Sequence, residues 1–249
     1  MNASTKQLGT STASKSSPAH RGRHLFLGMS CVLAAIVFVG FAPTFYLQRL
    51  YHAPALSPLF QIHGALFSAW IVLLIAQSSL IRAERVDMHR RLGIVGVVLA
   101  VAMVVVGAMV AIHGAAEGTA GLGVGGPPLS FLTIPLGAIV IFGALVTAAI
   151  FQRRNRDAHR RLMLVATINI VAPALGRIGD HVFHFKTPLF ILVSMFALTA
   201  ACILSDWISR RKVHIVFAVV APMTVISGPL RLLFGRTEMW LGFARWLTT

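Results

Sequence analysis

Residues Leu92–His113 read LGIVGVVLAVAMVVVGAMVAIH and contain no aspartate, glutamate, lysine or arginine. An α-helix rises 1.5 Å per residue, so roughly 20 apolar residues cross the hydrocarbon core of a bilayer. A surface helix of a soluble domain keeps one polar face toward water, and this stretch has none. The stretch therefore predicts a transmembrane helix.

Six further apolar segments accompany it. In chain order the predicted spans are Leu25–Leu47, Pro58–Ile81, Leu92–His113, Leu129–Phe151, Leu162–Val182, Pro188–Ile208 and Val213–Leu230. The fifth and seventh are the least regular, because proline and polar or charged residues interrupt them. The composition agrees with a membrane protein, since only 12% of residues are charged, against about 25% in soluble domains. We predict an all-α integral membrane helical bundle with about seven transmembrane helices.

The net charge of +15 has a topological explanation. Of the 22 Lys and Arg residues, 16 lie in the N-terminal tail and in alternate connections, at residues 1–23, 82–91, 152–161 and 209–212. Positive residues collect on the cytoplasmic side of membrane proteins. We therefore predict a cytoplasmic N-terminus and, with seven spans, a C-terminus outside. The lipid bilayer, and no nucleic acid, is the expected partner.

The two ends of the chain are expected to lie outside the transmembrane domain. Residues 1–23 are rich in Ser, Thr and Ala and are predicted to form a disordered cytoplasmic tail. Residues 24–230 form the seven-helix domain. Residues 231–249 mix Trp and Phe with arginines, which favours a short helix in the outer interface. Cys31 and Cys202 fall within apolar runs and are interpreted as buried thiols rather than a disulfide.

A six-residue motif occurs twice in the chain. Asp87-Met-His-Arg-Arg-Leu92 recurs 70 residues later as Asp157-Ala-His-Arg-Arg-Leu162. Spans two and three therefore resemble spans four and five, as hairpins of residues 58–114 and 128–184. Parallel repeats of this kind occur in transporters, although duplication of a hairpin requires no transport role. Each aspartate is placed to cap the helix that follows, and each arginine pair to anchor its cytoplasmic end.

Neither role explains the histidine that both copies contain. If the hairpins pack side by side, His89 and His159 lie at matching depth near the cytoplasmic face. Two neutral imidazoles from different helices can be the axial ligands of a haem iron, and adjacent arginines could pair with the haem propionates. The alternative is that these residues only anchor helix ends in the interface.

A second histidine pair is predicted near the outer face. His63 lies five residues after Pro58, about 7–8 Å along the helix. Ionisable residues at such depth are costly and often functional. His113 lies at the outer end of the third span, so the two histidines could ligate an outer haem. The alternative is a neutral His63 that is hydrogen-bonded to a neighbouring backbone.

A third candidate site lies in the fifth span. Arg177, Asp180, His181 and His184 have spacings that place them on one helical face, and Pro173 would permit a bend. This stripe could be a proton or ligand site, or it could be a helix end that enters water. A metal site without haem is not expected, because the stripe contains one carboxylate. No P-loop, dinucleotide-binding, zinc-protease or serine-hydrolase motif is present, so the sequence assigns no reaction.

The stretch HGALFSAW at His63–Trp70 and the stretch DMHRRLG at Asp87–Gly93 resemble a group of bacterial multi-pass inner-membrane proteins of unknown activity. The second motif copy fits the same group, and the resemblance covers roughly residues 41–176. It implies a bacterial inner-membrane location.

Histidines near both faces of a helical bundle also resemble, more loosely, di-haem b-type transmembrane cytochromes. That resemblance implies haem b as cofactor, an electron-transfer role across the bilayer and a redox or membrane-protein partner. The alternative function is a non-redox carrier or an assembly or scaffold protein without haem.

Overall fold

The computed structural model describes residues 18–119, 127–184 and 188–249. Most of the predicted N-terminal tail lies outside these residues. The helices are α1 (Pro18–Phe41), a first π-helical turn (Ala42–Tyr46), α2 (Pro58–Arg82), α3 (Val86–Ala116), α4 (Pro128–Phe131), α5 (Thr133–Phe151), α6 (Arg156–Ile170), α7 (Ala172–His181), α8 (Pro188–Arg210), a second π-helical turn (Val216–Val220), α9 (Ala221–Phe234) and α10 (Glu238–Thr248).

The helices form a multi-pass membrane bundle. Six stretches of the described chain are long and apolar enough to cross a membrane: α1 with its π-helical turn, α2, α3, α4 with α5, α8, and the second π-helical turn with α9. The bent pair α6 and α7 makes a seventh if it is counted as one span. The predicted all-α membrane bundle is therefore confirmed.

The lipid-facing surface is apolar. On α3 the side chains of Ile94, Val98 and Val101 are 70%, 65% and 60% exposed. They lie three or four residues apart and therefore share one helical face. Water would disfavour a continuous apolar stripe of this kind, whereas lipid tails accept it. Association with a lipid bilayer follows.

The bend between α6 and α7 measures 42° and has a local cause. Proline has no amide hydrogen and its ring clashes with the carbonyl four residues earlier, so the helix breaks close to Pro173. Beyond the bend, α7 approaches α1 closely. A Cβ atom at Gly40 would lie within 2.9 Å of the Ala174 backbone. Glycine at this position therefore permits the contact between the two helices.

The centre of the bundle is built around Trp70 of α2, which is buried. Its indole nitrogen donates a 3.1 Å hydrogen bond to the hydroxyl of Thr167 on α6. Its ring packs edge-on against Phe142 of α5, at 5.0 Å between ring centroids. The indole N–H is thus satisfied at a depth where an unpaired donor is costly. This contact joins the hairpin α2–α3 to the second hairpin, α4–α7.

The helices end at two faces. The basic face carries the connections at residues 83–85, 152–155 and 211–215, and the opposite face carries those at 47–57 and 235–237. At the opposite face α10 is held by Trp240, whose indole nitrogen donates a 2.8 Å hydrogen bond to the Leu129 carbonyl. Trp246 of the same helix is exposed. The placement of α10 in the outer interface stays a prediction.

Candidate functional site

The basic face holds a buried ion pair between Arg161 of α6 and Asp206 of α8. The two side chains are 0% and 3% exposed. The guanidinium donates two hydrogen bonds to the carboxylate, from Nε to Oδ2 at 2.8 Å and from a terminal nitrogen to Oδ1 at 2.5 Å. This is the bidentate geometry in which the guanidinium fork matches a carboxylate. Each charge is tolerated away from water because the other neutralises it.

Asp157 extends the ion pair into a network that reaches the surface. Its carboxylate accepts hydrogen bonds from Arg160 at 2.5 Å, from Arg161 at 3.3 Å and from Arg210 of α8 at 2.8 Å. Three arginines thus share the carboxylates of Asp157 and Asp206, and one positive charge remains in excess. The network locks the start of α6 to the end of α8.

Aromatic rings enclose the buried arginine. The rings of Phe26 on α1 and Phe217 in the second π-helical turn lie 5.8 and 5.4 Å from the guanidinium carbon of Arg161. A guanidinium is weakly hydrated and stacks favourably on aromatic faces, which lowers the cost of its burial. Residues from four elements therefore surround Arg161.

His214 joins the network through its backbone, and its ring contacts the start of the second π-helical turn. Its amide N–H donates to Asp206 Oδ2 at 3.2 Å, and its Nδ1 accepts the amide N–H of Val216 at 3.3 Å. A ring nitrogen that accepts carries no proton, so the neutral imidazole is the form that fits. Burial, followed by the positive charge of Arg161, lowers the pKa of His214 below its usual value.

The fold brings the two repeat histidines together. The rings of His89 on α3 and His159 on α6 lie 6.3 Å apart between centroids, with their planes at 90°. Nδ1 of His159 lies 2.8 Å from the carbonyl oxygen of Ala149. A carbonyl oxygen only accepts, so Nδ1 carries the proton and donates, which leaves the lone pair of Nε2 free.

Polar atoms without partners lie beside this pair. His89 Nδ1 is buried and makes no hydrogen bond, and the same holds for Oε1 of Gln77 on α2. The side-chain amide of Gln77 lies next to Gly93, one turn after His89 on α3. Buried polar atoms are normally paired, so unpaired ones mark a place that water, an ion or a ligand can complete.

The two histidines of the predicted outer pair take different partners. His63 stacks on Phe67 of its own helix, at 4.2 Å between ring centroids. His113 pairs with Glu117 at 3.4 Å, and its ring packs beside Phe60. Within the described residues no ring contact joins the two histidines. Both lie toward the opposite face, as the sequence predicts, but the fold does not pair them.

The predicted stripe in the fifth span is divided by the end of its helix. α7 ends at His181, and His184 lies beyond it in a left-handed conformation with φ of 56°. The prediction of a single helical face is therefore wrong for His184. The physical reason is a widened last turn, because the amide groups of Val182 and Phe183 both donate to the Ile178 carbonyl and close the helix.

Arg177 turns from α7 toward α1. Its guanidinium carbon lies 4.5 Å from the centroid of the Phe41 ring, and one terminal nitrogen donates a long hydrogen bond, 3.4 Å, to the Pro173 carbonyl. The sequence does not predict this contact, because Phe41 belongs to a different predicted span.

The motif aspartates do not cap their helices. Asn155 caps α6, where its side-chain oxygen accepts the amide N–H of Ala158 at 3.2 Å. α3 begins after Arg85 without a side-chain cap. The capping prediction for Asp87 and Asp157 is therefore wrong. Both aspartates lie inside the first turn, and Asp157 is drawn to three arginines instead.

Sequence reasoning missed the partner of Arg161. Asp206 is visible in the sequence as a carboxylate within an apolar run, and a buried carboxylate needs a cation. That signal indicates a pair without identifying its second member, since the chain has 22 Lys and Arg residues.

No family model, curated protein or solved structure matches the chain. In the part of the chain that the structure describes, no three His, Cys, Asp or Glu residues form a group suited to a metal ion.

Proposed function

We propose that this membrane protein binds one b-type haem between α3 and α6, with His89 and His159 as axial ligands, and exchanges electrons at the basic face. The observation that carries the proposal is the 6.3 Å separation of the two imidazole centroids. A metal–nitrogen bond to histidine is about 2.0–2.1 Å, so two imidazoles that share one metal ion lie on the order of 6 Å apart.

The chain supplies the remaining features of a ligand pair. The hydrogen bond from His159 to the Ala149 carbonyl orients the ring and keeps Nε2 available. The unpaired Nδ1 of His89 marks an unsatisfied polar site next to it. Arg90 and Arg91 are exposed at the start of α3 and can pair with propionates. When bound, haem supplies reversible one-electron oxidation and reduction.

The proposal is for one haem rather than the two that the sequence indicates. We leave the outer haem out of this proposal because the contacts of His63 and His113 are with Phe67 and Glu117 rather than with each other. Without a second haem, electrons would not cross the whole bilayer through this protein. The redox partner is therefore expected to bind at the basic face.

We further propose a bacterial inner-membrane location with the basic face in the cytoplasm. The support is the concentration of Lys and Arg on that face and the resemblance of the repeat motifs to bacterial multi-pass proteins. Alkaline phosphatase fused after Thr249 should be active, because that enzyme folds only outside. Activity of a fusion at residues 152–155 instead would reverse the orientation.

An optical spectrum of the purified full-length protein tests the haem. After expression with ample haem, we expect a b-type α-band on reduction with dithionite, at one haem per chain. A spectrum without the band, unchanged by added haem, would refute the proposal. Two haems per chain would restore the outer site.

Histidine variants assign the ligands. H89A and H159A should each abolish the band. H113A is the matched control, since this histidine is half-exposed at the opposite end of α3, and it should leave the spectrum unchanged. A band that survives in both H89A and H159A would place the haem elsewhere.

The second candidate is a non-redox carrier or scaffold without haem. One observation favours it: Arg160, Arg161 and Arg210 are already engaged by carboxylates and are not free for propionates. The histidine pair would then act only in packing. In that case H89A and H159A lower the unfolding temperature of a colourless protein.

A further inference from the structure

The half of the bundle near the opposite face contains a cationic cluster that the haem proposal does not use. Arg177 of α7 lies over the Phe41 ring of α1, at 4.5 Å from its centroid. The ring of Phe45, four residues after Phe41, packs directly against Gly64 of α2, the residue that follows His63. Three helices thus contribute one side chain each.

The cluster lies close to the membrane boundary. Arg177 comes four residues before the end of α7, and His63 comes five residues after the start of α2. At 1.5 Å per residue both lie about 6–8 Å inside the helix ends. Groups at this depth can be reached from the headgroup layer of the bilayer.

Arg177 has more hydrogen-bonding capacity than the protein uses. A guanidinium presents N–H donors on every nitrogen, and within residues 18–119, 127–184 and 188–249 one terminal nitrogen of Arg177 makes one long hydrogen bond. Arg161, at the other end of the same bent span, shows how this fold satisfies a buried arginine, with two hydrogen bonds to Asp206.

His63 is also unsatisfied. Its Nδ1 is buried and has no hydrogen-bond partner, while one face of its ring is covered by Phe67. A guanidinium with spare N–H donors and an unpaired ring nitrogen are both unfavourable at membrane depth unless something completes their hydrogen bonds. An anion that accepts hydrogen bonds from both would do so.

We propose that Arg177 and His63, over the floor formed by Phe41, bind a phosphate group that enters from the opposite face. The guanidinium fork matches two phosphate oxygens, and Nδ1 of His63 donates to a third when it carries the ring proton. The phosphate belongs either to an anionic lipid headgroup or to a small soluble phosphate. This site does not involve haem, so its test does not depend on the result of the optical spectrum that tests haem binding.

The experiment measures thermal stabilisation of the full-length protein in maltoside micelles, which contain no phosphate. One arm titrates inorganic phosphate. The other titrates a short-chain phosphatidylglycerol, with a diacylglycerol of the same chains as the control without phosphate. Stabilisation by the lipid alone identifies a headgroup site, and stabilisation by inorganic phosphate identifies a site for the free anion.

Variants locate the binding. R177Q and H63A should each weaken it by about tenfold or more, as expected for hydrogen bonds to a charged group. R49Q is the matched control, because Arg49 is exposed at the same face, and it should bind like the wild type. If R177Q does not fold, R177K tests the fork, since it keeps the charge and loses the bidentate geometry.

Two results would overturn the proposal. The first is a wild-type protein that neither phosphate source stabilises beyond the diacylglycerol control. The second is binding that R49Q weakens as much as R177K and H63A, which would indicate non-specific attraction to the positive surface.

Discussion

The two copies of the repeated motif have nearly the same residues and opposite environments. In the first copy, Asp87, Arg90 and Arg91 are exposed. In the second, Arg161 is fully buried and Arg160 half-buried. The difference lies in the neighbouring helices, because the second copy packs against α8, and Asp206 of that helix binds Arg161. The same hexapeptide therefore anchors a helix end in one place and forms an interior network in the other.

The histidine is the motif position at which the two copies contact each other. The rings of His89 and His159 lie side by side between the two hairpins, whereas the arginines next to them have different surroundings in the two copies. The helices that follow also differ, since α3 is continuous over Val86–Ala116 whereas its counterpart breaks into α6 and α7. The two hairpins therefore share a sequence motif and differ in the structure built around it.

Removal of the buried carboxylate should have the largest effect. D206A leaves Arg161 charged and unpaired, which should cost about 3–5 kcal/mol of unfolding free energy. R91A, the equivalent arginine of the first copy, should change it by no more than about 0.5 kcal/mol. Denaturant unfolding in detergent measures both. Equal effects would show that the two copies do not differ energetically.

A double variant separates pairing from packing at the same place. R161M/D206L removes both charges and should recover most of the stability that D206A loses, because apolar residues of similar size replace a buried ion pair well. A double variant as unstable as D206A would mean that the charges are needed for more than mutual neutralisation.

A substitution at the contact between α7 and α1 should cause the second-largest loss of stability. G40A places a Cβ against the Ala174 backbone, which cannot move as a flexible side chain can, and should cost about 1–3 kcal/mol. G28A on the same helix faces open space and should be neutral or slightly stabilising. Thermal unfolding of both variants measures whether G40A lowers the unfolding temperature and G28A leaves it unchanged or raises it. A stabilised G40A would contradict close packing of α7 on α1.

Substitution of the two motif aspartates should change the free energy of unfolding by smaller amounts. D157N weakens three arginine contacts and should cost about 1 kcal/mol, a value reduced by solvent screening because the side chain is partly exposed. D87N should have less effect, since Asp87 is exposed in the first turn of α3. High salt should reduce the cost of D157N. A larger loss in D87N would reverse the proposed roles of the copies.

The smallest expected effect is a dependence of stability on pH that arises from His214. Its folded-state pKa is lowered, so the unfolded chain takes up a proton first as the pH falls. Stability is therefore complete above the usual histidine pKa of about 6.5 and declines as the pH falls from there through the folded-state value. Protonation also removes the acceptor that holds the Val216 amide.

H214N isolates this contribution. Asparagine keeps a side-chain acceptor near the Val216 amide and does not titrate, so the variant should lose less stability than the wild type between pH 7.5 and 5.5. Thermal unfolding across this range measures the difference. An identical pH dependence in the two proteins would assign it to other groups.

The sequence predicted most of the architecture because hydrophobic length and charge asymmetry are local properties. All seven apolar segments correspond to helices or to the bent pair. The depth of His89 and His159 followed from the repeat alone. What the sequence could not predict were contacts between segments far apart in the chain, such as Arg161 with Asp206, or Arg177 with Phe41.

The sequence by itself determined that the chain is a bundle of membrane-spanning helices with a duplicated hairpin, since each span must satisfy its own backbone within lipid. Tertiary structure alone decided which histidines meet, which arginine is neutralised by Asp206 and which arginine lies over an aromatic ring. Those outcomes depend on the rotation and bending of whole helices against one another. The 42° bend close to Pro173 brings α7 against α1, and this contact places Arg177 over the Phe41 ring.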